Sequence, residues 1–325
     1  MKTRLLSRYA LSSCAAAAML AACGGSRPPI GAQGAMPQTS PIAAHAERGK
    51  SWMLPGTSSG DLLYATGGCE GACVLSYPDL KLVGGIADRG ISICSDSQGN
   101  IFLPRDTTVT EYAHGGTSPV ATLTLPGNAS SGCSVDPITN DLAVVFQTQV
   151  AIFQNEQGNP SVYLTHIDAR YCTYDANGNL FVNGYGGNSG AEYALAELAS
   201  GASAFTTILV SNSVGNPGQL QWDGKFLAYQ DLTKYGKVSQ LQIAGSSASI
   251  VGTISFKGVQ HQVAQSWLYD GQIAFPYNIR GQHVNVISTW RYPKGGKAAN
   301  TIRKFDSYKK KAIEFLGVTV SVAPH

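Results

Sequence analysis

Three segments of this chain repeat one another at a fixed interval. Cys94 to Asn100, Cys133 to Asn140 and Cys172 to Asn179 share a cysteine, a small or polar residue, an aspartate and an Asx-rich turn, and successive cysteines are 39 residues apart. Weaker copies follow at Leu220 to Gly224 and Trp267 to Gly271. Each copy leads into a short apolar run: Ile101 to Leu103, Leu142 to Phe146, Leu180 to Val182, Phe226 to Tyr229 and Ile273 to Phe275. A second marker falls later in the unit, as Tyr77-Pro78-Asp79, Tyr112 to Gly116, Leu198 to Gly201 and Tyr292 to Gly296. An aromatic or apolar residue closing a strand before a glycine-containing turn is hairpin chemistry. The unit therefore reads as four strands, A to D, with Asp, Asn and Gly turning A into B.

A four-stranded unit of about forty residues cannot bury its own faces and is stabilised by stacking against copies of itself, which predicts an all-β radial propeller. Composition agrees, with 37 glycines and only 13% charged residues, which excludes a coiled coil. A net charge of +3 gives no footprint for nucleic acid, and no such partner is expected. The ends set the number of blades. Gly60 to Thr66 has the pattern of a B strand without an A strand, and Gly317 to Val322 that of an A strand without a B strand. Joined, they complete one blade and remove the open sheet edges. The expectation is a six-bladed propeller of four-stranded blades over residues 60–325, its first blade closed by the C-terminal strand. In these turn motifs the chain resembles the six-bladed NHL and SMP-30/gluconolactonase-like propellers.

Residues 1–22 read as a secretion signal: Lys2, Arg4 and Arg8 precede a short apolar core ending Leu20-Ala21-Ala22-Cys23. That ending resembles the bacterial lipobox. The resemblance implies cleavage before Cys23, acylation of that cysteine with palmitate-type chains and a lipid bilayer as partner. Gly24 in place of Asp points to an outer-membrane or cell-surface position. Residues 23–59, rich in Pro, Gly, Ala and Ser, are expected to form a flexible tether. Gly56 to Gly60 matches G-x-S-x-G, but no helix follows to build the nucleophile elbow.

Cys69 and Cys73 are read as a possible disulfide. Cys94, Cys133 and Cys172 occupy equivalent inner-strand positions and are expected to be buried thiols, because packed sheets lie about 10 Å apart. Asp175 to Asn179 begins like a calcium loop, but Leu180 and Gly186 stand where that loop needs its turn glycine and bidentate acid. No catalytic residue, metal-ligand set or cofactor is read. In a propeller, the D-to-A and B-to-C loops crowd one face around the channel. Arg105, His166, Asp168, Arg170, Asp231, His261, Arg280 and His283 fall there and form the candidate ligand-binding set. Two functions follow. One is a monomeric, membrane-anchored binding or scaffold module for an envelope protein, peptide or glycan. The other, implied by the SMP-30 resemblance, is a metal-dependent extracytoplasmic hydrolase or lyase.

Overall fold

The computed structural model describes residues 49–129, 132–186, 192–211, 215–261, 265–279, 285–303 and 315–324. The described residues form 25 β-strands and two short 3-10 turns, with no α-helix among them. The first sheet contains β1 (Trp52–Met53), β2 (Leu62–Thr66), β3 (Ala72–Ser76) and β4 (Leu82–Ile86). Two four-stranded meanders follow: β5 (Cys94–Ser95), β6 (Ile101–Arg105), β7 (Thr108–Tyr112) and β8 (Pro119–Thr124), then β9 (Cys133–Val135), β10 (Leu142–Phe146), β11 (Gln149–Phe153) and β12 (Ser161–Leu164). An eight-stranded sheet comes next. Its first meander is β13 (Asp168–Tyr174), β14 (Leu180–Gly186), β15 (Glu192–Leu198) and β16 (Thr206–Ser211); its second is β17 (Pro217–Trp222), β18 (Leu227–Asp231), β19 (Lys237–Ala244) and β20 (Ser247–Ser255). The outer strands β16 and β20 join them in parallel, Leu209 to Ser211 against Ser247 to Ser249. The last meander is β21 (Trp267–Tyr269), β22 (Gln272–Asn278), β23 (Asn285–Arg291) and β24 (Asn300–Ile302). The final strand, β25 (Gly317–Ser321), returns to pair antiparallel with β2, from Leu62↔Ser321 to Thr66↔Gly317.

Burial follows position in each sheet. Every residue of β2, β10, β18 and β25 is buried, whereas the outer strands β8, β12, β16 and β20 are largely exposed. A strand covered on both faces is largely apolar, with its few polar side chains hydrogen-bonded, whereas a rim strand can alternate. The buried side chains fall into six clusters, each drawn from the facing sides of neighbouring meanders. One of them, with Leu63, Leu75, Ala274, Ile287 and Val318, joins the first sheet to the last.

The innermost strands are also laced together by side chains at one repeat position. Ser134 Oγ accepts from Tyr174 N at 3.1 Å, Thr173 Oγ1 from Trp222 N at 3.2 Å, and Gln221 Oε1 from Leu268 N at 2.6 Å. Gln221 Nε2 donates back to Leu268 O at 2.8 Å, and Ser95 Oγ donates to Val320 O at 2.7 Å. These bonds satisfy backbone groups that face a neighbouring strand without a regular ladder.

Two expectations need correction. Residues 51–59 were expected in the tether, but Trp52 and Met53 pair with Gly85 and Gly84 as an extra outer strand. Glycine suits that position, since a Cβ on Gly84 would lie 2.9 Å from the backbone oxygen of Trp52. Cys94 and Cys133 were expected as separate thiols, but they form a disulfide across a Cα–Cα distance of 5.7 Å. The 10 Å spacing holds for parallel layers; sheets arranged radially converge towards the axis, where both cysteines sit. Cys69 and Cys73 are also bonded, with their Cα atoms 5.1 Å apart. Cys172 is a buried free thiol whose pKa is pushed up by burial. The G-x-S-x-G serine, Ser58, lies in the 3-10 turn Thr57–Ser59, followed by extended Gly60.

Candidate functional site

The D-to-A and B-to-C ends carry the candidate residues that the structure describes. Burial alternates through exposed His166, buried Ile167, half-buried Asp168, buried Ala169 and half-buried Arg170, as extended backbone requires. Arg170 sits at an irregularity of the β13–β14 register. Its guanidinium donates to Asp168 Oδ2 at 2.7 Å and lies 5.6 Å from the centre of the Tyr185 ring. Both partners are substantially exposed, so the pair contributes about 0–1 kcal/mol. Arg105 Nε lies 3.4 Å from Asp106. Asp231 is buried: its Oδ1 accepts from Thr233 N and Oγ1 at 2.9 and 2.6 Å, and Lys234 reaches its Oδ2 at 3.2 Å. His261 packs against Tyr235 with ring centres 5.1 Å apart. The structure thus joins Asp168 to Arg170, while Arg105 pairs with its own neighbour and Asp231 braces the turn that follows it. Arg280, His283 and Cys23 lie outside the described residues.

The opposite end, formed by the A-to-B and C-to-D turns, is more highly organised. Aspartates that close the A strands cap their own turns: Asp175 Oδ1 accepts from Asn177 N and Asn179 N, and Asp96 Oδ1 from Gln98 N and Asn100 N. This is Asx-turn chemistry. Side chains from C-to-D turns then reach back to the preceding A-to-B turn. Tyr77 Oη donates to Tyr269 O at 3.0 Å, Tyr292 Oη to Asp223 Oδ2 at 2.6 Å, and His114 Nε2 to Gly60 O at 3.1 Å.

One such joint is made of two acids. Glu156 meets Asp96, with Glu111 nearby, and burial followed by these two carboxylates pushes the Glu156 pKa up to about 8. A carboxyl raised in the folded state holds its proton more tightly than in the unfolded chain, where its pKa is about 4.3. Its contribution is therefore fully present below about pH 4.3 and is lost as pH rises through about 8. Glu156 is only partly buried, and solvent screening holds the effect well below what the full shift would give. Wild-type protein should melt at progressively lower temperature from pH 5 to pH 9, while Glu156→Gln should flatten that decline and be the more stable protein at pH 9. Parallel slopes in the two melting series would remove Glu156 as the group responsible.

A cavity of about 560 Å³ opens at this end, between the β17–β18 and β21–β22 turns. Trp222, Phe226, Tyr269 and Tyr292 line it, with Asp270 and Gln272. The β21–β22 turn is the pair Asp270-Gly271, both with positive φ (45° and 65°), as a two-residue hairpin of matching twist requires. Asp223 stands at the wall. Its Oδ1 accepts from Lys225 N and Phe226 N at 3.0 and 2.7 Å, and its Oδ2 from Gln240 Nε2 and Tyr292 Oη at 2.8 and 2.6 Å. Burial alone would raise this carboxyl, but the four donors outweigh it and hold the group below its ordinary range. The Tyr292 hydroxyl is correspondingly pushed up, by burial and then by its bond to Asp223. Asp223 is thus an ionised anchor with its roughly four acceptor positions filled, which leaves it unsuited to general acid or base work. Lys225 Nζ rests 4.9 Å from the centre of the Phe226 ring.

The candidate residues predicted from sequence lie at the other end; the walls of this cavity come from two different repeats. A signal was present. The residue before the turn aspartate is Ser95, Val135, Tyr174, Trp222 and Tyr269 in successive copies, so it becomes aromatic along the chain. Among the described residues, no three His, Cys, Asp or Glu side chains are placed to hold a metal ion.

No protein-family model and no curated protein matches this sequence. Solved structures do. A chain of a nidogen/laminin complex is similar with a TM-score of 0.61 at 14% identity, over 82% of this chain and 100% of that one. A protein of unknown function from Bacteroides caccae is similar with a TM-score of 0.58 at 15% identity, over 81% and 99% of the respective chains. The fold is all-β and propeller-like. Identities this low speak for the fold alone.

Proposed function

We propose that this chain is an envelope-anchored, extracytoplasmic β-propeller of six four-stranded blades that acts as a binding module. Support for six blades comes from dividing the eight-stranded sheet at its single parallel pairing, β16 with β20. It comes also from the six inter-sheet clusters, the last of which joins back to the first sheet. Anchoring through acylated Cys23 rests on the Leu20 to Cys23 motif. Two buried acyl chains, at about 0.8 kcal/mol per methylene, suffice to hold a protein on a bilayer. The two disulfides are in keeping with an oxidising compartment.

The observation that carries the binding role is the cavity beside Asp223. Its volume lies within the roughly 300–1,000 Å³ of small-ligand sites, and aromatic walls with a few fixed polar groups suit recognition. Its best-buried carboxylate is committed to holding the walls, so binding fits the geometry better than hydrolysis. The test uses full-length protein in detergent and fractionated envelope extract. Wild type should retain a component that the Phe226→Ala, Tyr269→Ala double variant does not, and EDTA should leave retention unchanged. Cys23→Ala should move the protein out of the membrane fraction without affecting retention. Equal retention by wild type and double variant would dismiss the cavity as the binding site, and metal-dependent turnover of a small ester or lactone would favour the hydrolase.

A further inference from the structure

We infer that the cavity between the β17–β18 and β21–β22 turns takes a neutral saccharide, stacked on its aromatic walls. This inference rests on the binding-module reading and names its ligand class. Three features of the cavity point to that class.

The first is the pairing of aromatic and polar residues on one lining. A pyranose presents two C–H faces and a belt of hydroxyls at its edge. Trp222 and Phe226 line the cavity from either side of the β17–β18 turn, Tyr269 from the end of β21 and Tyr292 from just past β23, while Asp270 and Gln272 lie on the same lining beside them. Aromatic residues give large contact area at low cost in side-chain entropy, so they serve well as rigid platforms.

The second is that the walls are fixed before a ligand arrives. Tyr292 is held at both ends: its hydroxyl donates to Asp223 in the facing turn, and its backbone N–H donates to Gly271 O at 2.8 Å in its own meander. Tyr269 is held through its carbonyl, which accepts from Tyr77, and the Tyr77 ring stands edge-on to it at 5.7 Å. Preorganisation of this kind lowers the ordering cost of binding.

The third is charge. Asp223 and Asp270 against Lys225 leave the lining with one net negative charge, which disfavours phosphates, uronates and other anions. Aromatic walls beside acids would also suit a quaternary ammonium. Here the Lys225 ammonium already lies near one of the rings, and the acceptor positions of Asp223 are filled by donors of the chain itself. A ligand with hydroxyls and no net charge meets neither obstacle.

The test titrates full-length protein with neutral oligosaccharides of the gluco-, manno-, galacto- and N-acetylglucosamino- series, and separately with choline and tetramethylammonium. Binding is followed by calorimetry and by tryptophan emission, to which Trp222 contributes. At least one neutral series should bind, and Tyr269→Ala should weaken it by about tenfold or more, the usual scale for removing a central aromatic contact. Tyr269→Phe should restore most of the affinity, because the ring and not the hydroxyl does the stacking. Circular dichroism of each variant checks that the fold survives; Tyr269→Ala removes a side chain but keeps the carbonyl that Tyr77 uses. Binding of the ammonium ions alone, lost in Asp270→Asn, would overturn the saccharide and leave the binding module standing. So would silence of every probe while retention from envelope extract still depends on Tyr269 and Phe226. Silence of every probe together with unchanged retention would overturn both readings.

Discussion

Removal of residues 315–325 should leave a chain without a cooperative thermal transition. All five residues of β25 are buried, and each pairs with β2. Phe315, Val318 and Val320 are all under 3% exposed, and burial of such side chains contributes about 1.5–3 kcal/mol apiece. The strand is also tied sideways. Ser95 donates to Val320 O, Ser321 Oγ contacts His114 Nδ1 at 2.6 Å, and Ala323 N donates to Asp61 at 2.9 Å. Total stability of a domain is about 5–15 kcal/mol, so loss of this strand costs a large share of it. The deletion would further bare the edge of β2 at its most apolar stretch, Leu62 to Ala65, and invite pairing with other chains. Circular dichroism melting with light scattering measures both effects. A truncated chain that melts as wild type does, without aggregation, would mean that β2 does not depend on β25 for cover.

The pairing of β25 with β2 was legible in the sequence because both segments keep the repeat pattern: Gly317 to Val322 resembles Gly90 to Ser95 closely enough to be recognised as an A strand. The A-to-B turns were legible for a similar reason. Asp96, Asp136 and Asp175 each accept from a backbone N–H two residues on, and such local chemistry needs no knowledge of the rest of the fold. What the repeat does not carry was lost. Trp52 and Met53 belong to no copy, and among Pro, Gly and Ser they read as linker; their only trace is Gly84-Gly85, which makes room for them. The cavity is assembled from Trp222 and Tyr292, which are 70 positions apart and meet only because consecutive meanders stack. Spacing along the chain describes each repeat but not the groove between two of them. Charged residues at the D-to-A loops drew the candidate set to the other end. There the Asp168–Arg170 pair closes on itself, and Asp231 serves its own turn.

The bond between Cys94 and Cys133 was missed by treating the spacing between sheets as constant, and its position suggests what it does. At three of the inner-strand junctions a Ser, Thr or Gln side chain accepts from a backbone N–H of the next strand: β9 to β13, β13 to β17 and β17 to β21. Between β5 and β9 the link is covalent, made by the residue one place earlier in the repeat. It closes a loop of 39 residues that contains the whole second meander, and chain entropy assigns such a loop about 4 kcal/mol. The Cys69–Cys73 bond spans four positions and by the same relation is worth about 2 kcal/mol. Cys94→Ala with Cys133→Ala should therefore lower the melting temperature by about 8–16 °C, at roughly 2–4 °C per kcal/mol. Cys69→Ala with Cys73→Ala should lower it by about half as much. Non-reducing peptide mapping should recover Cys94 and Cys133 in one linked species, with Cys172 reacting with thiol reagents only after denaturation, since it is buried. A map that places Cys172 in the bond, or a double variant with wild-type melting, would show that the second meander is held to the third by packing alone.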